Sequence, residues 1–353
     1  MNKRVTREDV ARAAGVSAAV VSRALNNSGY VKKEKKERIL QIAEQLNYNP
    51  NSLALSLQTR RSHQLMFIRD DLTGAYHIQM FHGVAREAQR QGYSVLLDMQ
   101  CQLETIRNLM IDGVIFSGEG IAKAYAERVG RTYFLPTVTI CQNPSVSFAK
   151  PMPCVVLDDR RVVNMAVDYL QAKGHRRIGL VIPFEYNYSD TRLRWWRERM
   201  EFDGLEGYQN WLIKMNGRLS SSEQEMQQYF SDFNGFEYYD LFESGREAAH
   251  KFAALPYRPS AVLCFNDDMA HGMIQELESL GIDVPRELSV MGIDGTYIRN
   301  HFPKRLTSVA TYPERMGARC VDILVDMLEE RPYKFMNYSE VEILEGDTVR
   351  TLG

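Results

Sequence analysis

The sequence predicts an all-α headpiece followed by a larger α/β domain that is built from two doubly wound halves. Two short apolar helices joined by a glycine turn open the chain. Residues 1–62 contain 12 Lys and Arg against 5 Asp and Glu, a net charge of +7, whereas the remaining residues carry −9. From His63 onward, short apolar runs alternate with amphipathic helical stretches, which is typical of a mostly parallel sheet covered by helices.

The headpiece begins with a capping pattern. Thr6 can cap a first helix with Asp9 three residues later, and Gly15 stands where a left-handed residue ends that helix. Ser17 can cap a second helix, and a third is predicted over residues 32–46. At helical spacing, the side chains expected in the core are Val10, Ala13, Ala14, Val16, Val20, Val21, Ala24, Leu25, Ile39, Leu40, Ile42, Ala43 and Leu46.

The outward face of the second helix is small and polar, since it consists of Ala18, Ala19, Ser22 and Arg23. Such a face can lie closely against a flat partner. Because phosphate neutralisation supplies most of the affinity for a polyanion, the positive charge of this region indicates contact with DNA. A three-helix core without a nucleic-acid role is the alternative.

Residues 49–57 predict a further short helix. Pro50 fits a first helical position, and Leu53 and Leu57 lie on one face. Isolated helices below about 12–15 residues are marginal in water, so this segment is expected to order only on pairing or on DNA. A plain linker is the alternative, and Arg60 and Arg61 fit phosphate contacts near its end.

Length and composition exclude several classes of protein. The 353 residues suffice for two or three domains. No apolar run approaches 18 residues and the N-terminus lacks a signal-peptide stretch, so a cytoplasmic protein without membrane contact is expected. The five cysteines lack metal-ligand spacing and are expected to be buried small hydrophobes. No metal site and no cofactor are predicted.

The larger domain contains two series of strands and helices. Predicted strands cover residues 64–68, 93–97, 113–116, 137–140, 154–157, 177–182, 261–265 and 288–292. Predicted helices cover residues 76–91, 160–172, 207–215, 244–255, 269–280 and 313–330. Two doubly wound halves suggest a cleft between them, because ligands of such sheets bind outside the carboxyl ends of the strands.

The headpiece resembles that of the lactose/galactose repressor (LacI/GalR) family. The likeness runs from Val5 through Asn26, across residues 46–51 and on to Leu57. Further motifs resemble the effector domain of that family, namely Gly174-His175-Arg176-Arg177-Ile178-Gly179, Phe265-Asn266-Asp267-Asp268-Met269-Ala270-His271-Gly272, Val284-Pro285-Arg286-Glu287-Leu288-Ser289-Val290, Gly292-Ile293-Asp294 and Leu306-Thr307-Ser308-Val309.

The resemblance implies a division of the chain. Residues 1–48 would form a helix-turn-helix headpiece, 49–62 a hinge helix and linker, and 63–353 an effector-binding and dimerisation domain similar to a periplasmic sugar-binding protein. One subdomain would comprise about residues 63–160 and 312–332, the other about 161–311 and 333–353. Three crossovers are expected near residues 158–161, 309–313 and 330–337.

The resemblance also implies a function. The protein would be a homodimeric regulator, a repressor of carbohydrate genes, on a pseudo-palindromic operator in double-stranded DNA, with a small-molecule effector, expected to be a sugar. Leu57 would wedge between base steps of the minor groove. Whether the effector releases or promotes DNA binding is left open. The residues expected to contact DNA are Thr6, Ser17, Ala18, Ala19, Ser22, Arg23, Asn26, Tyr30, Asn51, Ala54 and Leu57.

Family positions that face the effector correspond to Asp71, Tyr76, Asn266 and Asp294. For the last two, a role in capping a helix or a turn is the alternative. The family's Arg-x-x-Gly-Phe/Tyr pattern lacks its arginine at residues 204–208, so Arg197 or Arg199 is expected to reach the site. Two other segments depart from the family pattern, Gly74-Ala75-Tyr76-His77 and Cys141-Gln142. In the family, an Asp-Arg pair is usual at the position of Cys141-Gln142. The aromatic group Phe184, Tyr186, Tyr188, Trp195 and Trp196 could stack on a ligand or form a packed lid.

Two other classes of protein share the predicted sheets. A sugar-binding transport component would need a secretion signal and would lack the basic headpiece. A metabolic α/β enzyme would need a glycine-rich, phosphate-binding or nucleophile motif, and the sequence contains no Gly-x-Ser-x-Gly, no phosphate loop and no His-Glu-x-x-His. The sequence therefore favours a regulator that is not an enzyme.

Overall fold

The structure is a computed structural model. It describes residues 5–25, 29–49, 61–69, 72, 74–130, 132, 134–142, 148, 150–184, 191–205, 207–217 and 240–353. The chain divides into two compact units, Met1–Ser62 and His63–Gly353. Asn26, Asn51, Ala54, Leu57 and Asp71, five of the residues predicted to bind DNA or effector, lie outside the described residues.

The described part of the first unit contains three helices, α1 (Arg7–Ala14), α2 (Ala18–Leu25) and α3 (Lys33–Gln45). The capping box at the start of α1 is confirmed, since the Asp9 amide donates to Thr6 Oγ1 at 3.3 Å and the Thr6 amide donates to Asp9 Oδ2 at 3.0 Å. Gly15 has a φ of 65°, as the tight turn between α1 and α2 requires.

Two predicted core positions of the headpiece are wrong. Ala13 is exposed, and Ala11 is buried beside Val10 and Ala14. Successive helical residues are rotated by about 100° around the axis. Ala14 therefore lies between Val10 and Ala11 on the helix surface, and these three residues form the buried face of α1, whereas Ala13 lies outside it. Leu40 is also exposed, whereas Ile39 and Ala43 of the same helix are buried.

The described residues of the second unit form two six-stranded sheets. The first sheet has the order β11-β5-β4-β3-β1-β2, and every neighbouring pair is parallel. The predicted strands at 64–68 and 113–116 are confirmed with their bounds. The strands of the first sheet are β1 (Gln64–Ile68), β2 (Ser94–Asp98), β3 (Gly113–Phe116), β4 (Thr137–Cys141), β5 (Cys154–Val156) and β11 (Met336–Tyr338).

The second sheet has the order β12-β10-β9-β8-β6-β7, in which only the β10–β12 pair is antiparallel. Its central strands β8, β9 and β10 are buried along their whole length, as expected for strands covered on both faces. The strands are β6 (Ile178–Phe184), β7 (Leu212–Gly217), β8 (Ala261–Cys264), β9 (Ser289–Asp294), β10 (Thr307–Ala310) and β12 (Glu342–Leu344).

Helices connect the strands. They are α4 (Gly74–Arg90), α5 (Glu119–Arg128), α6 (Asp159–Ala172), α7 (Thr191–Phe202), α8 (Leu241–Ala253), α9 (Asp267–Ser279) and α10 (Pro313–Leu328). The helix predicted over 207–215 is wrong. Tyr208–Trp211 is a 3₁₀ turn and the following residues are β7, because the buried residues Tyr208, Trp211 and Ile213 do not maintain a helical period.

In the described ranges, the chain passes between the two sheets three times, after Val156, after Ala310 and after Tyr338. The sequence predicted the third crossing at residues 330–337 and the return of the chain to the second subdomain at residue 333. Both predictions are wrong. Met336–Tyr338 pairs in parallel with β5 and so belongs to the first sheet. Only Asn337 of this edge strand is buried, so the strand has no apolar run that the sequence could reveal.

The helices pack closely where glycines replace side chains. A methyl group on Gly83 of α4 would lie 1.9 Å from the carbonyl oxygen of Glu314, and one on Gly317 of α10 would lie 2.2 Å from that of Met80. The backbones of α4 and α10 therefore touch. All five cysteines are buried, which confirms their prediction as buried residues.

Candidate functional site

The exposed surface of the headpiece contains several of the residues predicted to contact DNA. Thr6, Ser17, Ala19, Arg23 and Tyr30 are exposed, and Tyr30 has 83% of its surface accessible. Ala18 and Ser22 are half-buried. Ala19 and Arg23 are four residues apart in α2 and so share one face, and Arg23 Nε donates to the Ala19 carbonyl at 3.4 Å.

A second group of side chains lies in the larger unit, where the carboxyl ends of strands from both sheets meet. Arg192, in the first turn of α7, is its centre and is 4% exposed. Its Nε lies 3.1 Å from Asp159 Oδ1, and its Nη2 lies 3.9 Å from Asp294 Oδ1. Nη1 donates to the carbonyl oxygen of Phe265, and the guanidinium carbon lies 4.7 Å from the centre of that ring. The guanidinium group is therefore fixed in one orientation.

The charges of this group depend on one another. Burial alone would lower the pKa of Arg192, but the carboxylates of Asp159 and Asp294 raise it above its usual value. Asp159 also accepts a hydrogen bond from the Thr191 hydroxyl. Burial raises the pKa of Asp294, although Arg192 opposes that shift. Since a buried carboxylate needs partners, Asp159 is the better satisfied of the two in this structure.

Asp294 ends β9 with a φ of 112°, which is strained for a residue with a side chain. The turn that follows is held firmly by Asp267. Asp267 Oδ2 accepts from the Thr296 amide at 2.8 Å, and Oδ1 accepts from the Ser308 hydroxyl at 2.5 Å. Ser308 Oγ in turn accepts from the Gly295 amide at 3.0 Å. This network fixes the direction of the Asp294 carboxylate.

Tyr76 lies in the first turn of α4, which follows β1 of the first sheet. It therefore comes to this group of side chains from the half of the domain that contains the first sheet. Burial, and then the carboxylate of Asp294, raise its pKa well above the usual value, so its hydroxyl stays neutral. That hydroxyl lies 3.8 Å from Met316 Sδ. The structure thus brings Tyr76 and Asp294, which the sequence had placed at an effector site, close to Arg192 and Asp159.

Asn266 is buried, and its Oδ1 accepts from the Met269 amide at 2.9 Å as the cap of α9. The capping role that the sequence left as the alternative is therefore what the structure shows. Trp196 is fully buried and packs edge-on against Tyr208, so it belongs to the core. The guanidinium carbons of Arg160 and Arg194 lie 4.9 and 4.6 Å from the centre of the Trp195 ring.

The structure does not bring Arg197 or Arg199 to this site. Arg197 is exposed. Arg199 forms ion pairs with Asp168 at 2.6 Å and Asp203 at 2.8 Å. Sequence reasoning missed Arg192 because it searched for an arginine before Gly207-Tyr208. In the pattern Arg-x-x-Gly-Phe/Tyr, the arginine stands three residues before the glycine. Arg192 stands three residues before Trp195-Trp196, so tryptophans occupy the last two positions of the pattern. This spacing could have identified Arg192 from the sequence.

Among the described residues, no group of three His, Cys, Asp or Glu side chains is arranged to hold a metal ion. Within the same ranges, no helix is long and apolar enough to cross a membrane.

Family models match both units of the chain. Residues 6–51 match the model described as bacterial regulatory proteins, lacI family, and residues 167–349 match a periplasmic binding protein-like domain. The chain belongs to the lacI family of bacterial regulators. This lacI-family protein is therefore a DNA-binding regulator of transcription.

Relatives of the regulator match along nearly its whole length. A probable HTH-type transcriptional repressor, ExuR, of Bacillus subtilis is 28% identical over 99% of both chains. The HTH-type transcriptional repressor PurR of Vibrio cholerae is 26% identical over 98% of both chains.

Solved structures share the fold of the regulator. A lac repressor dimer bound to operator and an anti-inducer has a TM-score of 0.78 at 21% identity, covering 99% of this chain and 100% of that one. A complex of the regulator CelR with cellobiose has a TM-score of 0.64 at 20% identity, covering 98% and 100%. A lacI-family regulator of Enterococcus faecium with bound ribose has a TM-score of 0.64 at 17% identity, covering 82% and 100%.

Proposed function

We propose that this regulator is a repressor whose operator affinity is set by a polyhydroxylated small molecule, a sugar, bound between its two sheets. The observation that carries this proposal is the buried row Asp159–Arg192–Asp294, with Tyr76 facing it from the other sheet. Cellobiose and ribose are bound by two proteins of the same fold, and this supports a sugar as the class of ligand.

The chemistry of the row suits vicinal hydroxyl groups. A planar guanidinium presents parallel N–H donors, and a carboxylate presents two acceptors, so one pair can hold two neighbouring hydroxyls of a sugar. Arg192 is held by Asp159 and the Phe265 carbonyl, which leaves Asp294 to accept from the ligand. The ring of Tyr76 can cover the C–H face of a sugar.

DNA binding is assigned to residues 1–48, with 49–62 as hinge helix and linker and the remainder as effector domain. The second helix would enter the major groove, where Ser22 and Arg23 carry most of the contacts and Ala18 and Ala19 offer methyl contacts. The full proposed set is Thr6, Ser17, Ala18, Ala19, Ser22, Arg23, Asn26, Tyr30, Asn51, Ala54 and Leu57.

The proposed assembly is a homodimer on a pseudo-palindromic operator in the cytoplasm. A lac repressor of the same fold is a dimer on its operator, and the relatives PurR and ExuR are named repressors. Binding of the effector between the two sheets would change the angle between the two halves of each protomer. That change would alter the pairing of the two headpieces in the dimer.

The test is a thermal-shift screen of the full-length protein against mono- and disaccharides, followed by calorimetry on any sugar that binds. A sugar at about 100 times its Kd adds roughly 2.7 kcal/mol to the unfolding free energy. Tyr76→Ala, which removes the ring, and Asp294→Asn are expected to weaken that binding, whereas Arg197→Ala, on the exposed face of α7, is the matched control. Equal binding by all three variants would contradict the site.

A further inference from the structure

The three crossings of the chain between the sheets meet at one residue. They begin after Val156, after Ala310 and after Tyr338. Ser339 is the first residue of the third crossing and is half-buried. Its amide donates to the Val156 carbonyl at 2.8 Å, where the first crossing begins. Its hydroxyl donates to the Thr311 carbonyl at 2.6 Å, on the second crossing. Ser339 therefore holds all three crossings together.

Two of these crossings lead directly to the proposed effector site. Thr311 is fully buried, and its amide donates to the Asp294 carbonyl at 3.1 Å. The first crossing leads to Asp159, the first residue of α6, whose carboxylate pairs with Arg192. Asp294 lies on the other side of the same guanidinium group. Ser339 is thus bonded to both segments that position the buried row Asp159–Arg192–Asp294.

The Ser339 hydroxyl joins the ends of two different sheets. Ser339 directly follows β11 of the first sheet, whereas Thr311 directly follows β10 of the second sheet. The hydroxyl also lies 3.2 Å from the Glu340 carbonyl oxygen of its own segment, but its distance of 2.6 Å to the Thr311 carbonyl is closer to the optimum for such a bond. A change in the angle between the halves must therefore stretch this bond or move the crossings together.

We propose that Ser339 is a positioning residue that makes the three crossings turn as one unit when the angle between the two halves changes. This inference rests on the proposed function, in which an effector sets that angle. Hinges are short segments that absorb changes in φ and ψ. Without the hydroxyl, the second and third crossings adjust separately, so the halves sample a wider range of angles. The effect of a bound ligand on the headpieces then becomes smaller.

The first experiment needs no sugar, because it measures the separation of the halves directly. The native cysteines are buried, so spin labels are attached to the full-length protein at two introduced cysteines, Gln89→Cys on the exposed face of α4 and Glu247→Cys on that of α8. An excess of unlabelled protein ensures that each distance lies within one protomer. Double electron–electron resonance then gives the distribution of distances. Ser339→Ala is expected to broaden this distribution about twofold.

Two variants serve as controls for that measurement. Ser339→Thr keeps a hydroxyl and is expected to keep the wild-type width. Ser279→Ala removes a hydroxyl that donates to the Gln275 carbonyl at 3.0 Å within α9, so it should leave the width unchanged. Thermal unfolding verifies that every variant is folded. Equal widths in Ser339→Ala and Ser279→Ala overturn the inference.

The second experiment measures how strongly a sugar changes operator binding. Fluorescence anisotropy gives the operator Kd with and without a sugar that binds wild type in the thermal-shift screen. The ratio of the two Kd values is expected to be about fivefold or more in wild type, Ser339→Thr and Ser279→Ala, and less than about half of that in Ser339→Ala. An unchanged ratio in Ser339→Ala overturns the inference. If no sugar binds wild type or changes its operator affinity, the proposed effector class fails, while the distance distributions still decide the role of Ser339.

Discussion

Arg192 and Asp159 form an ion pair whose side chains are 5% and 2% exposed, at 3.1 Å between Nε and Oδ1. Two charges at this depth are stable only because each satisfies the other, and the Phe265 carbonyl and the Thr191 hydroxyl complete the arrangement. The pair lies where α6 and α7 both begin. It therefore supports the fold as well as the candidate site.

Replacement of Arg192 by methionine is expected to destabilise the effector domain by about 3–5 kcal/mol, because Asp159 and Asp294 would remain buried without a cation. Arg197→Met, on the exposed side of the same helix, is the matched control and is expected to change stability by less than about 0.5 kcal/mol. Urea unfolding followed by circular dichroism measures both. A loss below about 1 kcal/mol in Arg192→Met would show that the site relaxes around the missing charge.

Arg23→Ala is expected to weaken operator binding by about 1–3 kcal/mol, because an outward arginine on the second helix can contact bases or phosphates in the major groove. Fluorescence anisotropy with labelled operator DNA measures the loss. Arg176→Ala, an exposed arginine of the larger unit, removes the same charge and serves as control. Equal affinities for the two variants would exclude Arg23 from the DNA contact.

Gly83→Ala is expected to destabilise the effector domain by about 1–3 kcal/mol, since the added methyl would overlap the Glu314 carbonyl and force α4 away from α10. Gln89→Ala changes an exposed position of α4 and is the control. Thermal unfolding of both variants tests this. An unaltered midpoint for Gly83→Ala would mean that the two helices do not touch at this point.

His271 predicts a dependence of stability on pH. It is buried against the ring of Phe302, with 3.9 Å between ring centres, and burial, followed by Arg299 and His301, lowers its pKa to about 4. In the unfolded chain a histidine takes up a proton near pH 6.5, whereas the folded chain resists this until about pH 4, so stability falls as the pH falls through that window.

The expected loss is roughly 3 kcal/mol over the whole window, from 1.36 kcal/mol for each unit of pKa. The measurement is urea unfolding at intervals from pH 7 to pH 4 in wild type and in His271→Phe, whose ring can keep the contact with Phe302. The difference between the two curves isolates the histidine. A difference that stays constant with pH would show that His271 does not titrate in this range.

The sequence predicted the strands best where apolar runs are bounded on both sides, as at Gln64–Ile68 and Gly113–Phe116. The prediction from sequence failed where a segment buries only one face or only a single residue. Met336–Tyr338 buries one residue in three, and Tyr208 and Trp211 pack into the core from a 3₁₀ turn. Neither pattern has a period that separates it from a loop or a helix.

The candidate site was partly predictable. Tyr76 and Asp294 follow strands at the expected places, because the carboxyl ends of parallel strands point toward one cleft. Arg192 was missed although its spacing before Trp195-Trp196 was available, whereas its meeting with Asp159 depends on the contact between α6 and α7, which residue spacing within one helix does not specify.

The three passages of the chain between the sheets also govern the order in which the protein can be completed during synthesis. Both β11 and β12 come from residues 336–344, so each sheet receives its last strand only after the ribosome has made the residues of all its other strands. Until then the edges of β5 and β10 have unpaired backbone groups, and such open edges recruit other chains. The nascent protein is therefore most prone to aggregation just before residues 336–344 emerge, when most of the core of both sheets can already have formed.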